Sequence, residues 1–220
     1  MNSPIIQLLV LAGIAIFLIL KLRSVLGMRE GFEKPQVQNP PVASGRRRDD
    51  FEVIEGGPDL DVLDHADEGS DTAKALSAMK RVDPSFNVGE FLGGARGAYE
   101  MIVTAFDRGD LATVLPFISE DVYEAFATVV DEREKQGLTI ESNFIGISSL
   151  RLKSATLDET TKEAEMTVLF KAETTYVVRD AGGDIVEGEV DEVKRQTDIW
   201  TFARDMDADD PNWRLVATGE

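Results

Sequence analysis

The sequence contains no cysteine and a single histidine among its 220 residues. Without cysteine there can be no disulfide, no thiol nucleophile and no cysteine-ligated metal. The one histidine, His65, lies in an acidic stretch and has no second histidine with which to form a zinc pair or a catalytic dyad. We therefore expect neither a metal site nor a cofactor.

Basic residues are scarce relative to acidic ones, at 23 against 41, which gives a formal net charge of −18. Such a charge repels polyphosphate and excludes nucleic acid as a partner. The imbalance is uneven, since residues 1–48 hold 7 basic and 2 acidic residues, whereas residues 83–220 hold 13 and 29. Because 43% of the chain is hydrophobic, the composition does not indicate disorder throughout.

Long apolar runs are absent except at the N-terminus, where Gln7 is the only polar side chain between residues 5 and 20. About 20 apolar residues span a bilayer core, so residues 1–29 are predicted to form one transmembrane anchor. Basic residues follow this run and none precedes it, which places the N-terminus outside and the C-terminal domain in the cytoplasm. A cleaved signal peptide is the alternative, but the basic n-region and the cleavage site are missing. The predicted membrane-facing residues are Ile5, Leu8, Ile14, Phe17 and Leu20.

Residues 30–82 are predicted to form a disordered, charged linker that contains several prolines. Arg46, Arg47 and Arg48 either touch anionic headgroups or form a solvated charge run, and the sequence does not distinguish the two. Residues 49–71 hold ten acidic residues and no basic one, as a spacer repelled by the membrane would. Residues 72–82 can form a short helix.

The first half of the predicted domain, residues 83–220, has helical periodicity. Residues 86–108 carry apolar side chains at the spacing of one amphipathic helix. Its Gly93, Gly94 and Gly97 each cost about 1 kcal/mol relative to alanine, which suggests that another backbone or a ligand approaches closely. A phosphate-binding loop is the alternative, but no Lys-Ser/Thr follows. A short helix stopped by Pro116 and a longer one capped by Ser119 come next.

After Gly137 the apolar period shortens to about 2, which indicates strands. Residues 179–184 form a turn in which Gly182 and Gly183 supply positive φ. A run of helices followed by antiparallel strands is typical of an α+β fold, here with N-terminal helices packed on a curved four-stranded antiparallel sheet. The predicted strands cover residues 144–157, 164–178, 185–205 and 212–218.

The C-terminal stretch "TDIWTFARDMDADDPNWRLVATGE" is rich in aromatic residues for so short a segment. Trp200, Phe202 and Arg204 share one face of their strand. An aromatic pair beside an arginine suits a partly open pocket, although filling of the core is an equally good interpretation for any one residue. The predicted binding pocket consists of Phe91, Ala95, Tyr99, Ile102, Phe106, Trp200 and Phe202.

Several motifs in order, "GAYEMIVTAFDRGDLATVLPFIS", "VLFKAETTYVVRDAGGDIVEGE" and "DIWTFARD…PNWRLVAT", resemble the Tim-forty-four-like domain, as does the N-terminal "FLILKLRSVLGMREG" of bacterial members. The resemblance covers residues 86–218. It implies a cone-like fold related to cystatin and nuclear-transport-factor-like domains, and a role in membrane-associated protein handling. The mitochondrial scaffold of this family begins with a cleaved presequence and a chaperone-tethering region. This chain begins with an apolar anchor, which favours a bacterial inner-membrane adaptor.

Two classes of function fit these features. The favoured one is a membrane-tethered adaptor or scaffold that binds a protein, such as a translocation or chaperone component, or a lipid tail in its pocket. The alternative is an enzyme of the isomerase or dehydratase kind, which needs a buried acid or base. We predict no enzyme, because no acid–base pair has a recognisable spacing. The residues that an enzyme would use are Tyr99, Asp107, Asp121 and Asp198.

Overall fold

The computed structural model describes residues 59–219. The predicted anchor over residues 1–29, with Ile5, Leu8, Ile14, Phe17 and Leu20, and the predicted linker up to residue 58 lie outside the described residues. Within residues 59–219, no helix has the length and apolar character needed to cross a membrane. The anchor and its orientation therefore stay predictions.

Three α-helices open the described part of the chain: α1 (Leu60–Leu63), α2 (Asp71–Val82) and α3 (Val88–Arg108). Each begins after a residue whose side-chain oxygen accepts a hydrogen bond from a backbone N–H of the first turn. These N-cap residues are Asp59, Ser70 and Asn87.

A 3-10 helix (Leu111–Phe117) and α4 (Glu120–Lys135) follow. Gly109 ends α3 with a φ of 75°, in the left-handed conformation that favours glycine. Pro116 lies inside the 3-10 helix rather than directly after a helix as predicted. Helix α4 starts after Ser119, whose side chain accepts from the N–H of Val122, as its sequence predicts.

One antiparallel sheet of five strands completes the fold: β1 (Thr139–Leu157), β2 (Glu163–Arg179), β3 (Ile185–Glu187), β4 (Val193–Asp205) and β5 (Arg214–Gly219). The order is β1-β2-β4-β5, and the short β3 pairs with β2 beyond the end of β4. The helices pack against this sheet. The predicted α+β fold is therefore confirmed.

The predicted return strand over residues 185–205 is in fact two strands, separated by residues 188–192. Gly188 lies at this break with a φ of 82°, and a Cβ atom on it would lie 2.4 Å from the backbone oxygen of Tyr176. Any other residue type would clash with β2 here. The break is thus fixed by a close backbone approach that only glycine permits.

The core lies on the face of the sheet that the helices cover. Along β2, every second residue from Ala164 to Thr174 is buried, which is the alternation expected of a strand with one face in the core. Helix α2 adds Leu76 and Met79, both fully buried, and α1 adds Val62. The sequence placed the start of the folded domain at residue 83, whereas the ordered elements here begin with α1.

A charged cluster ties α1 and α2 to the start of α3. Lys80 of α2 places its Nζ 2.8 Å from Asp59 and 2.7 Å from Asp61. Asp61 also accepts a hydrogen bond of 2.9 Å from the N–H of Val88. Burial would raise the pKa of Asp61, but the hydrogen bonds from Lys80 and from two backbone N–H groups outweigh it and lower this pKa.

Candidate functional site

An aromatic cluster fills the space between α3 and the sheet. Tyr99 of α3 stacks on Phe170 of β2 with ring centroids 4.5 Å apart and planes 17° apart. Trp200 of β4 contacts the same tyrosine at 4.6 Å. Phe91, about two turns earlier on α3 than Tyr99, packs edge-on against Phe202 at 5.9 Å. These rings come from elements far apart in sequence, so the cluster is made by tertiary packing.

The structure brings the predicted pocket residues together and buries them. Six of the seven are at most 6% exposed, and Phe106 is partly buried. This closed packing differs from the partly open pocket expected from the sequence. That these residues bind a partner stays a prediction, and their burial favours a role in the core. The six are Phe91, Ala95, Tyr99, Ile102, Trp200 and Phe202.

Arg204 explains why the pocket is closed although an arginine shares the face of Trp200 and Phe202. Its guanidinium donates to the carboxylate of Asp83 at 3.0 Å, and both side chains are largely buried. The charge is therefore neutralised at the edge of the core, in the segment between α2 and α3. The two aromatic side chains need no opening to solvent as a consequence.

The glycines of α3 do not face the aromatic cluster. A Cβ atom built on Gly93, Gly94 or Gly97 would meet nothing within 4 Å, and all three residues are exposed. Helical periodicity is the reason, because the buried stripe through Tyr99 and Ile102 leaves the glycines on the opposite side. No backbone within residues 59–219 approaches them.

A polar network lies beside the aromatic cluster. The hydroxyl of Tyr99 donates to the carboxylate of Asp198, and the side-chain amide of Gln196 donates to that hydroxyl at 2.8 Å and to the same carboxylate at 3.1 Å. Burial first, and then the bond to Asp198, raises the pKa of Tyr99. The phenol is therefore neutral and acts as a hydrogen-bond donor.

Of the other two candidate acids, Asp107 is partly buried and Asp121 is exposed. Burial raises the pKa of Asp107, while the hydroxyl of Ser142 and the charge of Arg133 oppose that rise. Arg133 donates to the backbone oxygen of Phe106 at 3.1 Å, which caps the end of α3. Asp121 is exposed in the first turn of α4. Tyr99 is fully buried, whereas Asp107, Gln196 and Asp198 are partly buried.

The sequence analysis missed an exposed surface at residues 180–193, which we call the acidic segment. It holds six acidic residues and no basic one. It also contains four of the nine large hydrophobic side chains that are exposed among the described residues. The signal is an acidic run interleaved with aliphatic residues, but the sequence predicts a turn up to residue 184 and one continuous strand from residue 185.

Comparison with known families identifies the domain. The family model described as "Tim44-like domain" matches residues 72–220. This chain belongs to the Tim44-like domain family. The match begins within α2, so the Tim44-like domain includes a helix that the sequence analysis assigned to the linker, and α1 precedes it.

The curated relatives are mitochondrial proteins. The human mitochondrial import inner membrane translocase subunit TIM44 is 27% identical over 150 residues, which are 67% of this chain and 33% of that protein. The Caenorhabditis elegans protein named probable mitochondrial import inner membrane translocase subunit tin-44 is 26% identical over 151 residues, 67% of this chain and 35% of that protein. The chain thus covers about a third of the length of these relatives.

Among solved structures, the intermembrane space region of the chloroplast protein ARC6 aligns at a TM-score of 0.39 with 12% identity. The alignment covers 58% of this chain and 94% of that one.

Proposed function

We propose that this protein is a membrane-associated scaffold in protein translocation, and that its Tim44-like domain binds a protein partner. The observation that carries the proposal is the family match over residues 72–220, together with relatives named as subunits of an inner-membrane import translocase. Translocation or chaperone components are the expected partners. The match covers only part of each relative, so the partner itself has to be found by experiment.

The arrangement of polar groups supports binding rather than chemistry. The phenol that an enzyme would need is buried in the aromatic cluster, where Tyr99 is bonded to Asp198 and Gln196. Large apolar side chains are instead exposed at separate places on the outside, among them Met101, Val129 and Val190. Exposed apolar side chains supply contact area for a partner.

Attachment to the membrane is assigned to residues 1–29, with a single span and the Tim44-like domain in the cytoplasm at a bacterial inner membrane. The basic residues that follow the apolar run support this orientation. A phosphatase fused to the C-terminus should be inactive, and the same enzyme fused before residue 5 active. An active C-terminal fusion would contradict the orientation.

Site-specific photo-crosslinking in membranes tests the scaffold role. A photoreactive amino acid is placed at Met101, Val129 or Val190, which are exposed, or at Ile102, which is fully buried. The exposed positions should yield adducts with a membrane or translocation protein, and Ile102 should yield none. Absence of protein adducts from all three exposed positions, or recovery of the full chain in the soluble fraction, would overturn the proposal.

A further inference from the structure

The exposed apolar side chains of the described residues are concentrated in the acidic segment. Ile185, Val186, Val190 and Val193 are 42, 40, 61 and 48% exposed, and they lie within nine positions of one another. Singly exposed aliphatic residues are ordinary, but a group of this kind rimmed by charge marks an interaction surface. The other five exposed hydrophobic residues are scattered over the helices and β1.

Two of these side chains share a face of the sheet. Val193 pairs with Thr175 and Ile185 pairs with Arg179. Residues 175 and 179 of β2 point to the same side, because strand side chains alternate and β2 pairs regularly with β1 here. Val177 lies between them on that side and is buried. Ile185 and Val193 therefore lie on one face of the sheet beside Val177, and Val190 lies in the turn between β3 and β4.

The segment is held firmly against β2. The hydroxyl of Tyr176 donates to Glu187 at 2.8 Å, and Lys194 places its Nζ 3.8 Å from the centre of the Tyr176 ring. The carboxylate of Asp180 accepts from the backbone N–H of Gly182 and of Asp184, which closes the turn. A surface fixed in this way loses little conformational entropy on binding.

The acidic residues between β3 and β4 are Glu189, Asp191 and Glu192. Within the part of the chain that the structure describes, no lysine or arginine forms a salt bridge with Glu189, Asp191 or Glu192. The nearest base along the chain, Lys194, lies over the ring of Tyr176, and Arg179 and Arg195 pair with Glu141 and Glu173. The surface thus presents uncompensated negative charge around exposed aliphatic side chains.

Charge decides which occupant this surface accepts. A membrane with anionic headgroups is repelled by six acidic residues. A second copy is disfavoured as well, because residues 83–220 of each copy hold 29 acidic and 13 basic residues. Strand β3 has three residues, which is too short an edge for adding a strand of another chain. A helix with an apolar stripe flanked by lysine or arginine complements both the exposed aliphatic side chains and the negative charge of this surface.

We propose that the acidic segment docks a basic amphipathic helix of a partner polypeptide, with the helix's apolar stripe on Ile185, Val190 and Val193 and its basic residues beside Glu189 and Glu192. This rests on the proposed function, because it specifies the chemistry of the protein partner. The interaction weakens as salt rises, since its charges are exposed to solvent.

Fluorescence anisotropy with the full chain tests the proposal. The probe is a labelled synthetic helix of about 18 residues with leucines on one face and lysines on the other, and a peptide of the same composition in scrambled order is the control. Two double variants alter the surface: Glu189→Lys with Glu192→Lys, and Ile185→Ser with Val190→Ser. Each should weaken binding of the amphipathic peptide about tenfold, with thermal unfolding midpoints near those of the parent chain.

Two matched control variants change exposed residues outside the acidic segment. Glu124→Lys with Asp131→Lys on α4 makes the same change in net charge, and Leu115→Ser with Val129→Ser makes a similar loss of exposed apolar area. These should change the affinity less than about twofold. Absence of peptide binding, equal binding of the scrambled peptide, or equal weakening by the control variants would overturn the proposal.

The crosslinking experiment separates this inference from the scaffold function. Protein adducts from Met101 and Val129 without peptide binding would overturn the acidic-segment proposal and leave the scaffold intact. Peptide binding without membrane association or protein adducts would overturn the scaffold function and leave the docking surface.

Discussion

The aromatic cluster and the acidic segment use apolar side chains in opposite ways. In the cluster, Tyr99, Trp200 and Phe170 lie within 6 Å of one another, centroid to centroid, and are nearly or fully buried. In the acidic segment, Val190 and its neighbours remain open to solvent although the backbone is fixed against β2. The first arrangement holds the domain together, and the second offers contact area without contributing to the core.

The polar groups of the two regions differ in the same sense. Next to the cluster, the phenol of Tyr99 and the amide of Gln196 are bonded to Asp198. In the acidic segment, Glu189 and Glu192 form no salt bridge within the described residues. A buried polar group without a partner is costly, whereas an exposed one is not. If the acidic segment docks a partner as proposed, stability and recognition are carried by different parts of this small domain.

The largest expected effect is that of Trp200→Ala. Because Trp200 is 5% exposed and touches three other rings, its truncation should lower the free energy of unfolding by about 3–5 kcal/mol. Val190→Ala is the matched control and should change it by less than about 0.5 kcal/mol. Urea denaturation measures both. A small loss for Trp200→Ala, combined with weaker partner capture, would return Trp200 to the predicted pocket.

Gly188→Ala tests whether the acidic segment is held by a close approach to β2. The left-handed φ and the 2.4 Å distance to the oxygen of Tyr176 should make this change cost about 1–3 kcal/mol. Gly97→Ala is the opposite case, since its Cβ meets nothing within 4 Å, and it should stabilise α3 by about 0.5–1 kcal/mol. Equal effects of the two variants in thermal denaturation would contradict this difference.

Tyr99→Phe isolates the polar part of the interior. It removes one donor to Asp198 and one acceptor for Gln196, while the stacked ring remains. The free energy of unfolding should therefore fall by about 1–2 kcal/mol. Tyr123→Phe is the control, because no hydrogen bond from its hydroxyl is present within residues 59–219, and it should be nearly neutral. If Tyr99→Phe were as mild as Tyr123→Phe in urea denaturation, the network would carry no stability.

The smallest expected effect on the free energy of unfolding is that of removing the negative charge of an acid that is paired with a lysine, relative to an acid that forms no salt bridge. Asp61→Asn should cost about 1 kcal/mol at neutral pH, and Glu189→Gln almost nothing. The pKa of Asp61 lies below its ordinary value of 3.8, so its contribution is present above that pH and is lost as the pH falls through the folded-state pKa. The parent chain and Asp61→Asn should therefore differ less in free energy of unfolding as the pH falls, which urea denaturation at a series of pH values measures. A constant difference would mean that the ion pair contributes nothing.

Local patterns predicted most of the secondary structure, but not α1 or the break between β3 and β4. The stripe of α3 and the alternation of β2 follow from side-chain spacing alone, because a helix and a strand repeat every 3.6 and 2 residues. The cap at Ser119 is equally local, since its partner Val122 lies three positions away. Helix α2 was also anticipated from its apolar spacing, but not its membership of the core. Leu76 and Met79 are buried by elements that lie far away in the sequence.

The sequence by itself determined most of the helices and strands of the domain and that the fold is α+β. Only the tertiary structure decided which apolar side chains are buried and which are exposed to solvent. Trp200, Phe202 and Arg204 share one face of β4 in the structure, as the sequence predicts. The pocket is nevertheless closed, because Asp83, which lies 121 positions away in the sequence, neutralises Arg204. Ile185 and Val190 are exposed on either side of Gly188, where the strand breaks against Tyr176. Burial depends on contacts between distant segments, and local periodicity carries no information about them.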